Sequence, residues 1–399
     1  MWRLGFFFHE MGFGLLSIFL PLYVAQTVDP VNGLFYVGVM TAIALFVAIP
    51  ASFLWGYLCD KTRHYKRYIL LAFLASTVML YLFTFTKNMA LLITLYAVMA
   101  IFHVAHEAPK NVLISELYSH HEWKRNFAFY EGLTEVGWFI GLLLGFFAST
   151  YGFGPTNTLF LIAGLNLVAL VLSAILVADP DFVFERSLVS LEKTVDFASH
   201  GVFLASRMMD GLDLDKRLKR ENIVAFCCGL ILFSLGTAIL FTPLPIFVSR
   251  IAVGLPVGIV FAVYMLNSSG AIAGYALAGR TAEESNGKTS LGRLVLFRSL
   301  LAFVLLAALT PSSLSVLLTI GVVMLMGFAF AVFSVGILHL SMEIIPSGKS
   351  GLMNVLMGIG GAFGSFAGPF IAQALGFLQV FVAAAIIFLA AFVFFKIFA

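Results

Sequence analysis

Long apolar runs separated by short polar stretches dominate the chain, at residues 4–26, 34–57, 67–86, 90–114, 127–150 and 157–178. A second set follows at 222–248, 256–279, 292–310, 314–340, 350–374 and 376–396. About 20 apolar residues span the hydrocarbon of a bilayer as a helix, so the pattern predicts twelve transmembrane helices. Between the two sixes, residues 179–221 carry nine acidic and seven basic side chains, including Lys216-Arg-Leu-Lys-Arg220. This stretch reads as a solvated linker. The expected organisation is therefore a six-helix bundle over 1–178, a linker over 179–221 and a second six-helix bundle over 222–399.

Composition agrees with the count. Apolar residues make up 61% of the 399 positions and charged residues 11%, with 43 Phe and a mean hydropathy of +1.04. A soluble domain is about 45–50% apolar and about 25% charged. Roughly 243 apolar residues match the roughly 240 that twelve spans of about 20 need. These figures exclude a collagen-like chain, a disordered chain and a soluble enzyme on one anchor. Cys59, Cys227 and Cys228 supply no disulfide framework and suggest no redox chemistry. The start resembles a signal peptide only in part, because Glu10 interrupts its apolar run and the run continues to spanning length.

The placement of charge predicts orientation. One side of the expected membrane collects Arg3, Lys61, Arg63, Lys66, Arg67, Lys124, Arg125, the linker bases, Arg280, Lys288, Arg293, Lys349 and Lys396, while the other keeps Lys87 and Arg250. The positive-inside rule then puts both termini and the linker in the cytoplasm of a multi-pass cell-membrane protein.

The halves repeat each other. Gly14-x6-Pro21-Leu22 recurs as Gly236-x6-Pro243-Leu244, at an offset of 222; Gly56-Tyr57 recurs as Gly274-Tyr275, at 218. Gly137, Gly141 and Gly145 recur as Gly360, Gly364 and Gly368, at 223, and Glu116 matches Glu343, at 227. Four matches in order at nearly constant offset indicate a parallel duplication of six helices. The fold class expected is an all-α polytopic membrane protein of twelve helices in two six-helix pseudo-symmetric bundles.

The loop Gly56-Tyr-Leu-Cys-Asp60-Lys61-Thr-Arg63-His64-Tyr-Lys66-Arg67 resembles the Gly-x-Leu-Ala-Asp-Arg-x-Gly-Arg-Arg signature of the major facilitator superfamily of secondary transporters. The resemblance covers essentially the whole chain. The loop departs where Arg63 replaces a usual glycine, and in the second copy Ala278 stands where the acid belongs. The resemblance implies a cytoplasmic gate drawn from Gly56, Asp60, Lys61, Lys66, Arg67, Glu116, Arg125 and Glu343. Physically, a glycine allows close helix approach, and an aspartate beside a helix N-terminus pairs with nearby bases. The alternative is that the basic run only fixes topology. The glycine spacing in the fifth run partly resembles that of family antiporters but serves close packing in any bundle.

A charge at mid-membrane costs about 2.5–3.5 kcal/mol on insertion scales and persists when paired or facing water. The first half carries His9, Glu10, His103, His106, Glu107, Lys110, Glu131 and Glu135. Residues 103, 106, 107 and 110 share one helical face by their i, i+3, i+4, i+7 spacing. Glu10 shares a face with Gly14, Ser17 and Pro21, and Glu131 and Glu135 share one with Trp138. All fall between mid-membrane and the cytoplasmic boundary. The expected site is a proton-coupling cluster of Glu10, His106 and Glu107 with Glu131 or Glu135, in which Lys110 sets which acid is charged. Static bracing of the fourth and fifth helices remains an alternative. The second half offers Arg298, expected to snorkel to the cytoplasmic face, and His339, which either joins the site or is satisfied by a backbone carbonyl.

His9-Glu10, His106-Glu107 and His121-Glu122 invite comparison with H-E-x-x-H, but Phe13, Lys110 and Arg125 occupy the second histidine position. An intramembrane metalloenzyme is therefore disfavoured, and no phosphate-binding loop is present. The chain is expected not to be an enzyme and to need no cofactor or resident metal. Its partners are protons, a small-molecule substrate and the bilayer, without nucleic acid, and the expected state is a monomer. The sequence reading favours alternating-access, proton-coupled efflux of small, partly hydrophobic organic compounds. Uptake or facilitated diffusion of a small metabolite or organic anion is the alternative, and a channel is disfavoured by the twofold repeat.

Overall fold

The computed structural model describes residues 2–117, 123–179, 223–252, 255–256, 258–280, 287–310, 312–344 and 351–398. Apart from Asp179, the linker expected at 179–221 lies outside them. Among the described residues there are no strands, and twelve helical segments are long and apolar enough to cross a membrane. They are α1 (Leu4–Val28), α2 (Gly33–Cys59), α3 (Tyr65–Phe83), α4 (Met89–Ile114), α5 (Arg125–Thr150) and α6 (Pro155–Leu176). The second six are α7 (Ile223–Ile251), α8 (Gly258–Gly279), α9 (Leu291–Ala308), α10 (Ser313–Ile337), α11 (Val355–Ala374) and α12 (Phe377–Phe398). In lipid each backbone amide must bond within its own segment, which is why apolar length alone locates these helices.

The duplication is visible in the packing. In the first half α1 packs on α5 and α6, α3 on α4 and α6, and α2 on α4; in the second, α7 packs on α11 and α12, α9 on α10 and α12, and α8 on α10. Adding six to each number converts one set into the other. The halves meet along α2 with α11 and α5 with α8, and the same shift exchanges these two seams.

The repeated glycines account for part of this symmetry. Lipid gives helices no hydrophobic reason to associate, so close approach of small residues carries the packing. A Cβ added at Gly137 would lie 2.6 Å from the Phe7 carbonyl oxygen, and one at Gly141 would collide with the Met11 carbonyl of α1. Gly360, Gly364 and Gly368 meet the carbonyls of Ile231, Leu235 and Ile239 on α7 in the same way. The repeated prolines mark breaks that hydropathy did not predict. The regular helix of α1 carries Pro21, ends at Tyr23 and runs into a wider π-helical turn, Val24–Val28. The α7 helix stops at Phe241 and restarts as Leu244–Ile251 after Pro243, which lacks the amide needed to continue the ladder.

Candidate functional site

The site is built on α1, α4, α5 and α6. The α4 segment is not one regular helix: a 3-10 turn at Val104–His106 separates Met89–His103 from Glu107–Leu117. A 3-10 turn brings side chains three apart into register. His103 and His106 thus stand with ring centroids 4.9 Å apart, both beside His9 of α1, at 5.1 Å and 5.0 Å. Phe73 of α3 stacks on His9 at 4.3 Å, and Phe13 lies 4.3 Å from His103. His9 and His106 are completely buried.

The hydrogen bonds orient these rings. Asn166 of α6 donates from Nδ2 to the Ile162 carbonyl at 3.0 Å, so its Oδ1 faces His9 Nδ1 at 2.7 Å. His9 Nε2 lies 3.1 Å from His103 Nδ1, and His106 Nδ1 lies 2.5 Å from the His103 carbonyl oxygen. His106 Nε2 is buried without a hydrogen-bond partner among the described residues and sits 3.4 Å from Glu107 Oε1.

An ion network adjoins the histidines. Lys110 Nζ lies 2.5 Å from Glu107 Oε2 and 3.6 Å from Glu131 Oε1, joining α4 to α5. The lysine is buried at 8% exposure, over the Tyr130 ring at 5.3 Å. Glu10 lies within electrostatic range of Glu107, Lys110, Glu131 and Glu135. One turn along α5, Glu135 points elsewhere. Its carboxylate accepts a hydrogen bond from the buried Ser268 hydroxyl of α8, which also lies 3.2 Å from the Glu135 carbonyl oxygen.

The structure therefore gathers His9, His103, His106, Glu107, Lys110 and Glu131, brings Glu10 near them, and turns Glu135 to the opposite half. Linear reading missed Asn166 and Ser268, which act through helices far away in sequence. The side chains of Asp60, Glu116, His339 and Glu343 lie outside the described residues. At the expected gate, Lys61 lies 5.7 Å over the Tyr57 ring, and Arg67 and Arg125 are exposed. Lys66 donates its backbone amide to Asp179 at 2.7 Å, and His64 pairs with the same aspartate at 3.8 Å.

Two expectations need correction, and one departure from the signature gains a structural account. Close packing does not explain Gly56, where an added Cβ would meet no described atom within 4 Å. Arg63 departs from the glycine of the signature yet adopts the conformation glycine favours, φ +56°, closing α2 with its amide bonded to the Cys59 carbonyl. Arg298 does not snorkel. It is 1% exposed, with its guanidinium 4.9 Å from the Phe233 ring, 5.8 Å from Phe241, 5.6 Å from Phe330 and 5.0 Å from Phe388. The rings of α7, α10 and α12 supply cation–π contact in place of water.

Regarding metals, one nitrogen from each of His9, His103 and His106 lies within 4.8 Å of the others. The failed H-E-x-x-H spacing does not bear on this set, because its members come from two helices.

Among the described residues, twelve helices of spanning length in two interchangeable sixes, with ionisable groups gathered inside one of them, define a polytopic membrane protein. The Major Facilitator Superfamily model matches residues 4–355, and the chain belongs to that superfamily. It is a secondary transporter. No curated protein matches the chain. Solved structures share its fold at low identity. Tetrameric PepTSo2 aligns with a TM-score of 0.74 and 15% identity, over 99% of this chain and 96% of that one. The xylose transporter XylE from E. coli, partially occluded and inward open, aligns at 0.71 and 13%, over 98% and 96%. The human organic anion transporter MFSD10 aligns at 0.68 and 16%, over 99% and 97%.

Proposed function

We propose that this transporter couples proton movement to export of small, partly hydrophobic organic compounds across the cell membrane. The observation that carries the proposal is Glu135, a carboxylate inside the bundle that is bonded to Ser268 across the α5–α8 seam between the halves. Alternating access rocks one half against the other, so a bond across this seam changes as the protein switches. A carboxyl group that trades a hydroxyl partner for water exchanges its proton with the side it faces. Glu131 and Glu10 face the same region, with Lys110 beside them, and supply a route by which the proton leaves.

The bias of Lys and Arg supports cytoplasmic termini. Among the described residues the transmembrane part of the second half carries no acid, which favours a largely apolar substrate surface there. The organic-anion alternative loses its main support in the first half, because Lys110 is already paired with two carboxylates. The gate residues Gly56, Asp60, Lys61, Lys66, Arg67, Glu116, Arg125 and Glu343 are proposed to act at the termini-bearing face. The His64 and Lys66 contacts to Asp179 support a link between that loop and the start of the linker.

The test is reconstitution in liposomes against a panel of lipophilic organic compounds. Substrate-dependent proton flux that saturates, and that falls at least tenfold in Glu135→Gln, is the expected result. Unitary conductance steps, or saturating substrate movement without proton flux, would overturn it.

A further inference from the structure

We propose that His9, His103 and His106 form a binding site for a divalent first-row transition ion of the zinc type, held between α1 and α4. The argument starts from an amide. Asn166 Nδ2 faces the Ile162 carbonyl, which only accepts, so Asn166 Oδ1 is fixed as the acceptor of the His9 Nδ1–H. In neutral His9 this leaves the lone pair on Nε2, pointing at His103. His106 Nδ1 likewise faces the His103 carbonyl, so its hydrogen is there, and in neutral His106 Nε2 carries the lone pair. Metal-bound histidines are oriented in this way, one ring nitrogen donating to a carbonyl or carboxylate while the other binds the ion.

The His106 Nε2 stands 3.4 Å from Glu107 Oε1, and no described residue offers it a closer hydrogen-bond partner. Lys110 Nζ, 2.5 Å from Glu107 Oε2, already supplies that carboxylate with a cation, so the Nε2 lone pair of neutral His106 is open to an ion shared with the other two rings. Zinc at about 2.0–2.1 Å from each nitrogen sets tetrahedral nitrogen pairs about 3.3–3.4 Å apart. The His9–His103 pair already stands at 3.1 Å. The widest separation, within 4.8 Å, closes by a shift of about 1–1.5 Å of one imidazole. Imidazole donors suit zinc, copper, nickel and iron, whereas magnesium and calcium prefer oxygen.

The occupant has a clear structural effect. The main packing partners of α1 are α5 and α6, and those of α4 are α2 and α3. An ion held by His9 with His103 and His106 ties these two helices together inside the first half. That role is separate from the Glu135–Ser268 contact across the halves, so loss of metal binding would leave the coupling proposal standing.

The experiment uses tag-free full-length protein, stripped with a chelator and titrated with Co²⁺ as a spectroscopic probe, then with Zn²⁺ in competition. One equivalent of Co²⁺ with d–d bands of low coordination, displaced by one equivalent of Zn²⁺, is expected. His106→Gln should abolish the bands, and Asn166→Leu should weaken affinity by about 10–100-fold, because it frees the His9 ring. X-ray absorption on the zinc-loaded wild-type protein covers the case in which a variant fails to fold, and should report three imidazole ligands. No stoichiometric Co²⁺ binding, wild-type affinity in both variants, or fewer than three imidazoles at the edge would each overturn the proposal. The first of these outcomes would instead fit His106 as an imidazolium paired with Glu107.

Discussion

Lys110 is the cation on which the ion network turns, and replacing it with Met tests the network quantitatively. The side chain lies 2.5 Å from Glu107 and 3.6 Å from Glu131, and its removal leaves both carboxylates and Glu10 without that cation. Breaking a fully buried pair costs about 3–5 kcal/mol. Here the two carboxylate side chains are each 36% exposed, so water screens part of the penalty, and about 2–3 kcal/mol is the expected loss. Glu107→Gln combined with Lys110→Met removes both ends of the shorter pair. The double variant should recover about 1–2 kcal/mol relative to the sum of the singles. The assay is equilibrium unfolding in mixed micelles by detergent titration. Additivity within about 0.5 kcal/mol would refute the reasoning, since it would mean that the groups do not feel each other. Transport separates two roles for the same network. A pure brace regains transport when the double variant regains stability, whereas a network that handles the proton stays inactive.

Three further outcomes follow from the packing. Arg63→Gly relieves a left-handed backbone at the end of α2 and should stabilise the protein by up to about 1 kcal/mol, read as a raised midpoint in the same titration. Gly141→Leu and its repeat partner Gly364→Leu should each destabilise by about 1–3 kcal/mol or more, because the new side chains meet the backbone of α1 and α7; unchanged midpoints would contradict the close approach. Arg298→Met replaces a charge caged by four phenylalanine rings with an apolar chain of similar length. It should leave stability unchanged or raise it by about 1–4 kcal/mol, and a marked loss would show that the cation–π contacts outweigh desolvation.

Most of the fold was legible in the sequence because a bilayer leaves few options: length, apolarity and glycine spacing located the helices and the repeat. The breaks at Pro21 and Pro243 were present as a repeated motif but not readable as breaks, since proline within a membrane helix is often tolerated. The acid–base face of α4 was legible from its i, i+3, i+4 spacing, and the Lys110–Glu107 pair follows from it, whereas the Lys110–Glu131 contact depends on how α4 meets α5. The histidine cluster was not. His9 and Asn166 are 157 residues apart, and only the 3-10 turn at Val104–His106 sets both α4 histidines against α1. Arg298 was misjudged for a related reason: its depth along α9 suggested the interface, while the rings that hold it come from α7, α10 and α12. Arg63 broke a motif by residue type and kept it by conformation, which a string of letters does not display.

The central claim is that a proton at Glu135 couples the two halves. The direct measurement compares wild type and Glu135→Gln in liposomes, in two modes with the same substrate: exchange at equal pH on both sides, and net movement driven by an imposed pH gradient. A carrier whose coupling resides in Glu135 keeps exchange near the wild-type rate and loses gradient-driven movement at least tenfold. Full gradient-driven movement in the variant would contradict the account.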